Sequence, residues 1–157
     1  MSEHKSKKAN YISSKESARI SRFNRKLTKR LEKQRNRKKV NPDTYMTKMK
    51  DSGNVVEFDN VCSYFFTDIG TVKAVDGASF VVPKCSTVGI VGESGCGKSV
   101  TSLSLMQLLQ RPHGQTVGGE IRFNVGEGDS GDAIDIAKAP NEVVQHLSLI
   151  HISEPTR

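Results

Sequence analysis

The residues best suited to chemistry form one short run, "GESGCGKS" at 92–99. It matches the pattern G-x-x-x-x-G-K-[ST] in full, with glycines at its first, fourth and sixth positions. A loop that wraps phosphate groups needs such glycines, because its backbone N–H groups must point inward and a Cβ atom would obstruct them. Lys98 can then reach the β- and γ-phosphates, and the Ser99 hydroxyl can hold Mg²⁺. The run predicts a phosphate-binding loop; the alternative is a glycine-rich turn that matches by accident.

The elements predicted on either side are those that such a loop requires. Residues 87–91, "TVGIV", are apolar and β-branched, which predicts a strand covered on both faces. Residues 100–109 carry apolar side chains at helical spacing and should end before Arg111-Pro112. The start of that helix near Lys98 would add its positive dipole end and its free N–H groups to the anion site. Cys96, inside the loop, is interpreted as a spacer and not as a nucleophile.

Other runs predict a partly buried sheet. Strands are expected in "NVVEFDNV" from residue 54, in "TVKAVDGASFVV" from residue 71 and in "EIRFNV" from residue 120. A second glycine pattern at 126–131 formally matches the dinucleotide fingerprint G-x-G-x-x-G. Its three acidic neighbours would repel a pyrophosphate and no long helix follows, so it is interpreted as a surface turn. These acids are Glu127, Asp129 and Asp132.

The charge is divided between two unlike segments. Residues 1–50 hold 17 Lys/Arg against 4 Asp/Glu, whereas residues 51–157 hold 7 against 13, so the net charge of +7 is an average. Within the basic segment, residues 14–39 place four apolar residues on one helical stripe, and Ser14 can cap the helix. These are Ile20, Phe23, Leu27 and Leu31.

Two interpretations of this basic arm stay open. In the first, the arm is an amphipathic helix that lies on an anionic membrane surface or on a partner. In the second, it is a solvated, partly disordered arm, because four apolar anchors bury little area. No nucleic-acid reading motif is present, so no specific nucleic-acid partner is expected. Residues 43–53, "DTYMTKMKDSG", are expected to be a linker.

Length and composition restrict the class of protein. The 157 residues suffice for one domain with an additional segment. The three cysteines have no CxxC spacing, which fits a reducing cytosol and predicts neither a disulfide framework nor a zinc site. No apolar run approaches the roughly 20 residues that span a bilayer, and there is no signal-peptide pattern. Any contact with a membrane is therefore expected to be peripheral.

Three stretches resemble one known family. They are "VKAVDGASFVVPK", "GIVGESGCGKSVTSLSLMQLL" and "GGEIRFN". Together they are similar to the ATP-binding subunits of ABC transporters, and in particular to those of the oligopeptide and dipeptide importers. The resemblance covers about residues 54–146. It implies an α/β fold, a P-loop NTPase core of parallel strands and helices, here incomplete, with an antiparallel β-subdomain. It also implies ATP and Mg²⁺, a cytoplasmic position at the inner face of the membrane, a second ATP-binding subunit and transmembrane permease subunits.

The resemblance also assigns residues. Phe65 would stack on adenine, although Tyr64 and Phe66 leave that choice open. One departure is "PKCST" at 83–87, where the family usually has Gly-Glu after the lysine. The complete set expected to bind nucleotide is Phe65, Gly92, Glu93, Ser94, Gly95, Cys96, Gly97, Lys98, Ser99 and Val100, with Ser99 also holding the metal.

The sequence has no signature motif of the LSGGQ type, no Walker B run and no switch histidine, so we expect this chain to bind nucleotide without hydrolysing it. Residues 147–157, "LSLIHISEPTR", resemble a translated sequencing-library adapter; the alternative is a Q-loop strand with Ser153 in place of glutamine. The expected organisation is a basic arm and linker at 1–53, part of the nucleotide-binding domain at 54–146 and an adapter-derived tail at 147–157. With later strands of a parallel core missing, exposed apolar faces and marginal folding are expected.

Two other classes of function remain open. One is a different P-loop NTPase, such as a small kinase, although no lid or second substrate site is visible. The other is a lipid- or nucleic-acid-binding arm joined to a degenerate nucleotide domain.

Overall fold

The computed structural model describes residues 13–153, with side chains up to residue 147. Residues 1–12 of the expected arm and residues 154–157 of the expected tail lie outside the described residues. Within the described part, no helix combines the length and the apolar character needed to cross a membrane. The elements in chain order are α1 (Ser14–Arg35), a 3-10 turn (Pro42–Thr44), β1 (Met46–Lys48), β2 (Asn54–Phe66), β3 (Thr71–Pro83), α2 (Lys98–Leu105), β4 (Gly114–Asn124), β5 (Asp132–Asp135) and α3 (Asn141–Ser153).

The five strands form one antiparallel sheet in the order β1-β5-β4-β2-β3. The predicted strands at 54, 71 and 120 are confirmed as β2, β3 and the second half of β4. The acidic glycine pattern is confirmed as a turn between β4 and β5. The N–H groups of Val125 and Gly126 both donate to the carbonyl oxygen of Asp132, at 2.9 and 3.0 Å.

The hydrophobic core lies on one face of this sheet. The Phe58 and Phe80 rings stack across β2 and β3 with centroids 4.3 Å apart, and Val61 and Ile121 are completely buried. Residues of α3 and of the end of α2 pack partly against the same cluster. The buried members of the cluster are Val56, Phe58, Val61, Ile121, Ile134, Ile136 and Ala139.

The segment expected to be a linker is part of the sheet. Residues 46–48 form β1 and pair with β5, and Met49 is buried. The expectation of a linker at 43–53 is therefore wrong for residues 46–49. A three-residue edge strand has too few positions to show an alternating pattern, and its pairing with β5 determines its conformation.

The predicted buried strand at 87–91 is wrong. Residues 86–93 have no regular secondary structure, and the Val91 side chain is 93% exposed. A strand covered on both faces needs hydrogen-bonding neighbours, and within residues 13–153 the five strands pair only with one another. Val88 and Ile90 are exposed for the same reason.

Helix α2 ends at Leu105, before the predicted end near residue 109. Gln107 leaves the helical conformation with a φ of 57°. Its side chain instead donates to the carbonyl oxygen of Ile136 at 2.9 Å and accepts from Arg35 and Arg111. These tertiary hydrogen bonds outweigh the local helical pattern.

Helix α1 confirms the predicted helix, with Ser13 and not Ser14 as its N-cap: the Ser13 hydroxyl accepts from the N–H of Glu16 at 3.3 Å. Its buried positions are polar, Asn24 and Thr28, whereas Phe23 of the predicted apolar stripe is 67% exposed. Residues 14–35 thus form a helix docked on the sheet. The expectation of a solvated arm holds only for the outward side of this helix, which is exposed.

The most buried carboxylate of β2 connects β1 to the sheet. Glu57 is 2% exposed and accepts from the N–H groups of Lys50 and Asp51 at 2.9 and 3.0 Å and from the Asn54 amide at 2.9 Å. Burial raises its pKa, but these hydrogen bonds and the charge of Arg122, 3.6 Å away, together hold the pKa below its ordinary value.

We predict that Glu57→Gln lowers the free energy of unfolding at neutral pH by about 2 kcal/mol. The new amide N–H₂ group replaces one of the two carboxylate oxygens, so it would face either the N–H donor of Lys50 or the donors of Asp51 and Asn54. Urea unfolding of the chain measures this change. Since the folded-state pKa lies below 4.5, the contribution of Glu57 is complete above that pH and is lost as the pH falls through the folded-state pKa. The variant and the parent should therefore converge in acid.

The matched control is Glu127→Gln, in the exposed turn between β4 and β5, which should leave both stability and its pH dependence unchanged. Equal pH dependence in the Glu57→Gln variant and the parent would contradict the assigned role of the carboxylate.

Candidate phosphate-binding site

The loop at 92–97 leads directly into α2, as the sequence predicted for a phosphate-binding loop. Gly97 is the N-cap of the helix and adopts a φ of 94°. A Cβ atom at this position would lie 2.4 Å from the carbonyl oxygen of Ala74 and 3.5 Å from the Val75 side chain. Only glycine satisfies both the left-handed backbone and the contact with β3. The last glycine of the motif therefore seats the loop on the sheet.

Helix α2 is fixed to the sheet by buried hydroxyl groups. The Ser104 hydroxyl lies 2.8 Å from that of Ser63 in β2, which also lies 3.2 Å from the Thr116 hydroxyl in β4. At the other end of the helix, the buried Thr101 hydroxyl donates to the carbonyl oxygen of Gly97 at 3.0 Å. These contacts determine where the first turn of α2 points.

Lys98 extends back over the loop. Its Nζ atom donates to the carbonyl oxygens of Gly92 at 2.8 Å and Glu93 at 2.5 Å, and lies 3.6 Å from the Cys96 sulfur. The ammonium group is thus held by neutral acceptors. A phosphate oxygen carries charge and is the stronger acceptor, so an anion on the loop would compete for this ammonium.

The start of α2 offers further donors. The N–H groups in the first turn of an α-helix have no acceptor within the helix, and they carry the positive end of its dipole. Ser99 and Val100 occupy this first turn, and the Ser99 side chain is exposed. Ammonium, helix start and hydroxyl therefore lie within three consecutive residues, an arrangement suited to binding a phosphorylated ligand with a cation.

The Cys96 side chain lies close to the first glycine of the loop. A Cβ atom at Gly92 would lie 2.8 Å from the Cys96 sulfur, so the thiol turns toward the start of the loop. Cys96 forms no disulfide and is exposed. Glu93, Ser94 and Gly95 are exposed as well. The interpretation of Cys96 as a spacer stays a prediction.

The three adjacent aromatic residues have different environments. Phe66 is buried. The Tyr64 hydroxyl donates to Asp76 at 2.5 Å, and this hydrogen bond, together with burial, raises the pKa of Tyr64 to about 12. Phe65 is half-buried, and its ring edge approaches Gly114 so closely that a Cβ atom there would lie 2.9 Å from it. Phe65 is the one of the three that is neither fully buried nor held by a hydroxyl hydrogen bond.

Sequence reasoning missed the residues that position the loop. Ser63 and Ser104 are each 0% exposed, and Ala74 supplies the carbonyl that Gly97 contacts. A serine inside a β-branched strand or an apolar helix has no distinguishing pattern. The only available signal was the small size of residue 97, which implies a close neighbour without identifying it.

We predict that Gly97→Ala lowers the free energy of unfolding by at least about 2 kcal/mol, because the new Cβ meets backbone and the left-handed φ is strained. Gly89→Ala is the control, since a Cβ at that glycine meets nothing within 4 Å and φ lies outside the left-handed region. Thermal or urea unfolding of both variants gives the comparison. Equal stability of the two variants would refute the seating of Gly97 on β3.

Comparison with known proteins finds no matching family model and no matching solved structure. Similar proteins are nevertheless found. The oligopeptide transport ATP-binding protein AppD of Bacillus subtilis is 46% identical over 69 residues, which are 44% of this chain and 21% of that protein. The dipeptide transport ATP-binding protein DppD of the same organism is 49% identical over 69 residues, again 44% of this chain and 21% of that protein.

A third relative is a probable peptide ABC transporter ATP-binding protein of Sinorhizobium fredii, 46% identical over 61 residues, or 39% of this chain and 18% of that protein. The chain spans about a fifth of the length of the curated relatives it matches. Over almost half of its own length, the chain is therefore similar to the ATP-binding proteins of oligopeptide and dipeptide ABC transporters.

Proposed function

We propose that this chain binds ATP with Mg²⁺ through the loop at 92–99, as part of the ATP-binding subunit of an ABC transporter that imports peptides. The observation that carries the proposal is the position of Lys98, whose ammonium contacts two loop carbonyl oxygens at the start of α2. The similarity to peptide transport ATP-binding proteins supports the choice of ATP.

Each part of the loop has a separate role in this proposal. The backbone N–H groups of residues 92–97 and those of the first turn of α2, at Ser99 and Val100, would surround the phosphates. The Lys98 ammonium would exchange its carbonyl contacts for oxygens of the β- and γ-phosphates. The Ser99 hydroxyl, exposed beside it, would hold Mg²⁺, whose charge offsets that of the phosphates.

Phe65 is the proposed adenine-stacking residue. Its partly exposed ring leaves apolar area to cover, whereas Phe66 has almost none and the Tyr64 hydroxyl is bound to Asp76. Stacking on an aromatic ring supplies affinity for any base, so it adds to phosphate binding without selecting adenine strongly.

The wider activity is proposed for the whole protein. By analogy with the named relatives, ATP binding and hydrolysis would be coupled to peptide import through transmembrane permease subunits and a second ATP-binding subunit, at the inner face of the membrane. The residues described above account for nucleotide binding, and hydrolysis belongs to the whole protein in this proposal.

We predict that Lys98→Ala weakens the binding of Mg²⁺-ATP by about 10- to 100-fold, the range expected for the loss of charge-assisted hydrogen bonds to phosphate. Isothermal titration of the 157-residue chain with ATP in the presence of Mg²⁺ measures the affinity. Lys84→Ala is the matched control, because the Lys84 ammonium also donates to a backbone carbonyl oxygen, that of Gly128, but Lys84 lies in the turn after β3. Equal affinity of the two variants would refute the assignment of Lys98.

We further predict that Ser99→Ala abolishes most of the difference in affinity between titrations with Mg²⁺ and titrations with excess EDTA, because the hydroxyl is the proposed metal ligand. The Mg²⁺-free affinity should change little, which separates loss of the metal from damage to the loop. A variant that keeps the full Mg²⁺ dependence would exclude Ser99 as the ligand.

A further inference from the structure

Helix α1 carries a continuous row of cations on one side. Six Lys and Arg residues follow one another at spacings of four, three, four, three and four positions, so at 3.6 residues per turn they share one face. All six are exposed, and the row is about 27 Å long at the rise of an α-helix. This cationic row consists of Lys15, Arg19, Arg22, Lys26, Lys29 and Lys33.

The opposite side of α1 is fixed to the sheet. The Ser17 hydroxyl donates to the backbone carbonyl of Asp68 at 3.1 Å, and the Ser21 hydroxyl donates to the Asp68 carboxylate at 2.6 Å. The buried Asn24 amide donates to the carbonyl oxygens of Thr67 and Gly70, at 2.8 and 3.2 Å. The first half of the helix is thereby held on the turn between β2 and β3.

The second half of α1 is held by different partners. The Gln115 amide donates to the Glu32 carboxylate at 2.7 Å, and the Arg35 guanidinium donates to the carbonyl oxygen of Ala137 at 2.9 Å. Since both halves of the helix are docked through one side, the cationic row points away from the protein along its whole length.

The row has no acidic partner in the described side chains. Within residues 13–147, none of its members forms an ion pair, and of the two acids in the helix Glu32 is turned toward Gln115. Neighbouring cations four positions apart, such as Lys15 and Arg19, repel each other and destabilise the helix. An external polyanion would relieve this repulsion.

An exposed aromatic ring lies beside the row. Phe23 is 67% exposed and is four residues after Arg19 and three before Lys26, so its ring is next to both cations. Cations flanking an exposed aromatic side chain on a helix are typical of surfaces that rest on a bilayer, where phosphates meet the cations and the ring enters the acyl boundary.

We propose that the outward face of α1 binds an anionic lipid surface, with the six cations on headgroup phosphates and Phe23 inserted between the headgroups. Residues 51–157 have 13 acidic against 7 basic residues, so this part of the chain would be repelled by the same surface, which favours an orientation with α1 toward it. The phosphates of a nucleic-acid duplex would meet only the cations, whereas a bilayer would also cover the exposed Phe23 ring, so a lipid surface fits this face better. This inference does not rest on nucleotide binding.

Co-sedimentation with vesicles tests the proposal. The 157-residue chain should bind vesicles of phosphatidylcholine and phosphatidylglycerol and should not bind phosphatidylcholine alone. Lys26→Glu/Lys29→Glu should lower the partition coefficient by at least about 25-fold, at about fivefold for each cation lost near the surface. Lys48→Glu/Lys84→Glu, with the same change in net charge away from the row, should lower it far less. Equal losses in the two double variants would overturn the proposal.

The aromatic anchor is tested separately. Phe23→Ala should lower the partition coefficient by about tenfold without changing the helix content measured by circular dichroism, because the ring is already exposed. Unchanged partition in this variant, or tighter binding to duplex DNA than to the anionic vesicles at physiological ionic strength, would exclude the lipid surface as the ligand.

Nucleotide binding provides an independent readout. Lys98→Ala should partition into vesicles as the parent chain does, and Lys26→Glu/Lys29→Glu should bind Mg²⁺-ATP as the parent does. A loss of vesicle binding in Lys98→Ala would mean that the two activities are not separate, which contradicts the assignment to α1. Failure of ATP binding alone would leave the lipid surface supported.

Discussion

Strand β2 is hydrogen-bonded along both of its edges, to β3 on one side and to β4 on the other. Three further segments are attached to residues in or next to this strand. Glu57 holds the segment after β1, Ser63 meets Ser104 of α2, and the carbonyl oxygen of Thr67 accepts from Asn24 of α1. Because a strand paired on both sides can neither shift nor rotate, these three attachment points have fixed relative positions.

The same strand explains why polar groups appear in buried positions. Glu57, Ser63 and Asn24 are each less than 9% exposed, and each has named hydrogen-bond partners within 3.3 Å. An apolar contact at these sites would tolerate displacement, whereas a buried polar group destabilises the structure whenever its partner is lost. The polar contacts therefore specify the positions of β1, α1 and α2, and the apolar cluster on the sheet supplies most of the burial.

Local patterns predicted those elements whose conformation depends on their own residues. Alternation in "NVVEFDNV" and "EIRFNV" identified β2 and the end of β4, and the stripe through Ile20 and Leu27 identified α1. The predicted strand at 87–91 failed because β-branched residues indicate a preference for extended backbone, while a strand also requires neighbours. Strand β1 was missed for the converse reason: its pairing with β5 determines its extended conformation, although its own residues show no strand pattern.

In the candidate site, too, local spacing predicted the loop but not the distant contacts that position it. The spacing of glycines, lysine and serine at 92–99 was sufficient to predict a turn into a helix with Lys98 at its first position, as the structure has it. The spacing could not show that the loop rests on Ala74 or that Ser104 meets Ser63, because these contacts join residues more than 20 positions apart. The docked side of α1 was predicted only in part. Three of the four stripe residues are half-buried, but the hydrogen-bonding residues that fix the helix are polar and lie outside the stripe.

The two cationic features of the chain differ in how they would respond to salt. The Lys98 side chain is partly buried, its ammonium contacts two carbonyl oxygens at 2.8 and 2.5 Å, and the neighbouring donors are backbone N–H groups at a helix start. Interactions at such short range are screened weakly. The row on α1 consists of exposed side chains that act on a surface over distances comparable to the Debye length, about 8 Å at physiological ionic strength, so salt screens it strongly. Ionic strength therefore separates an anion held by the loop from one held by the helix, even though both are held by lysine.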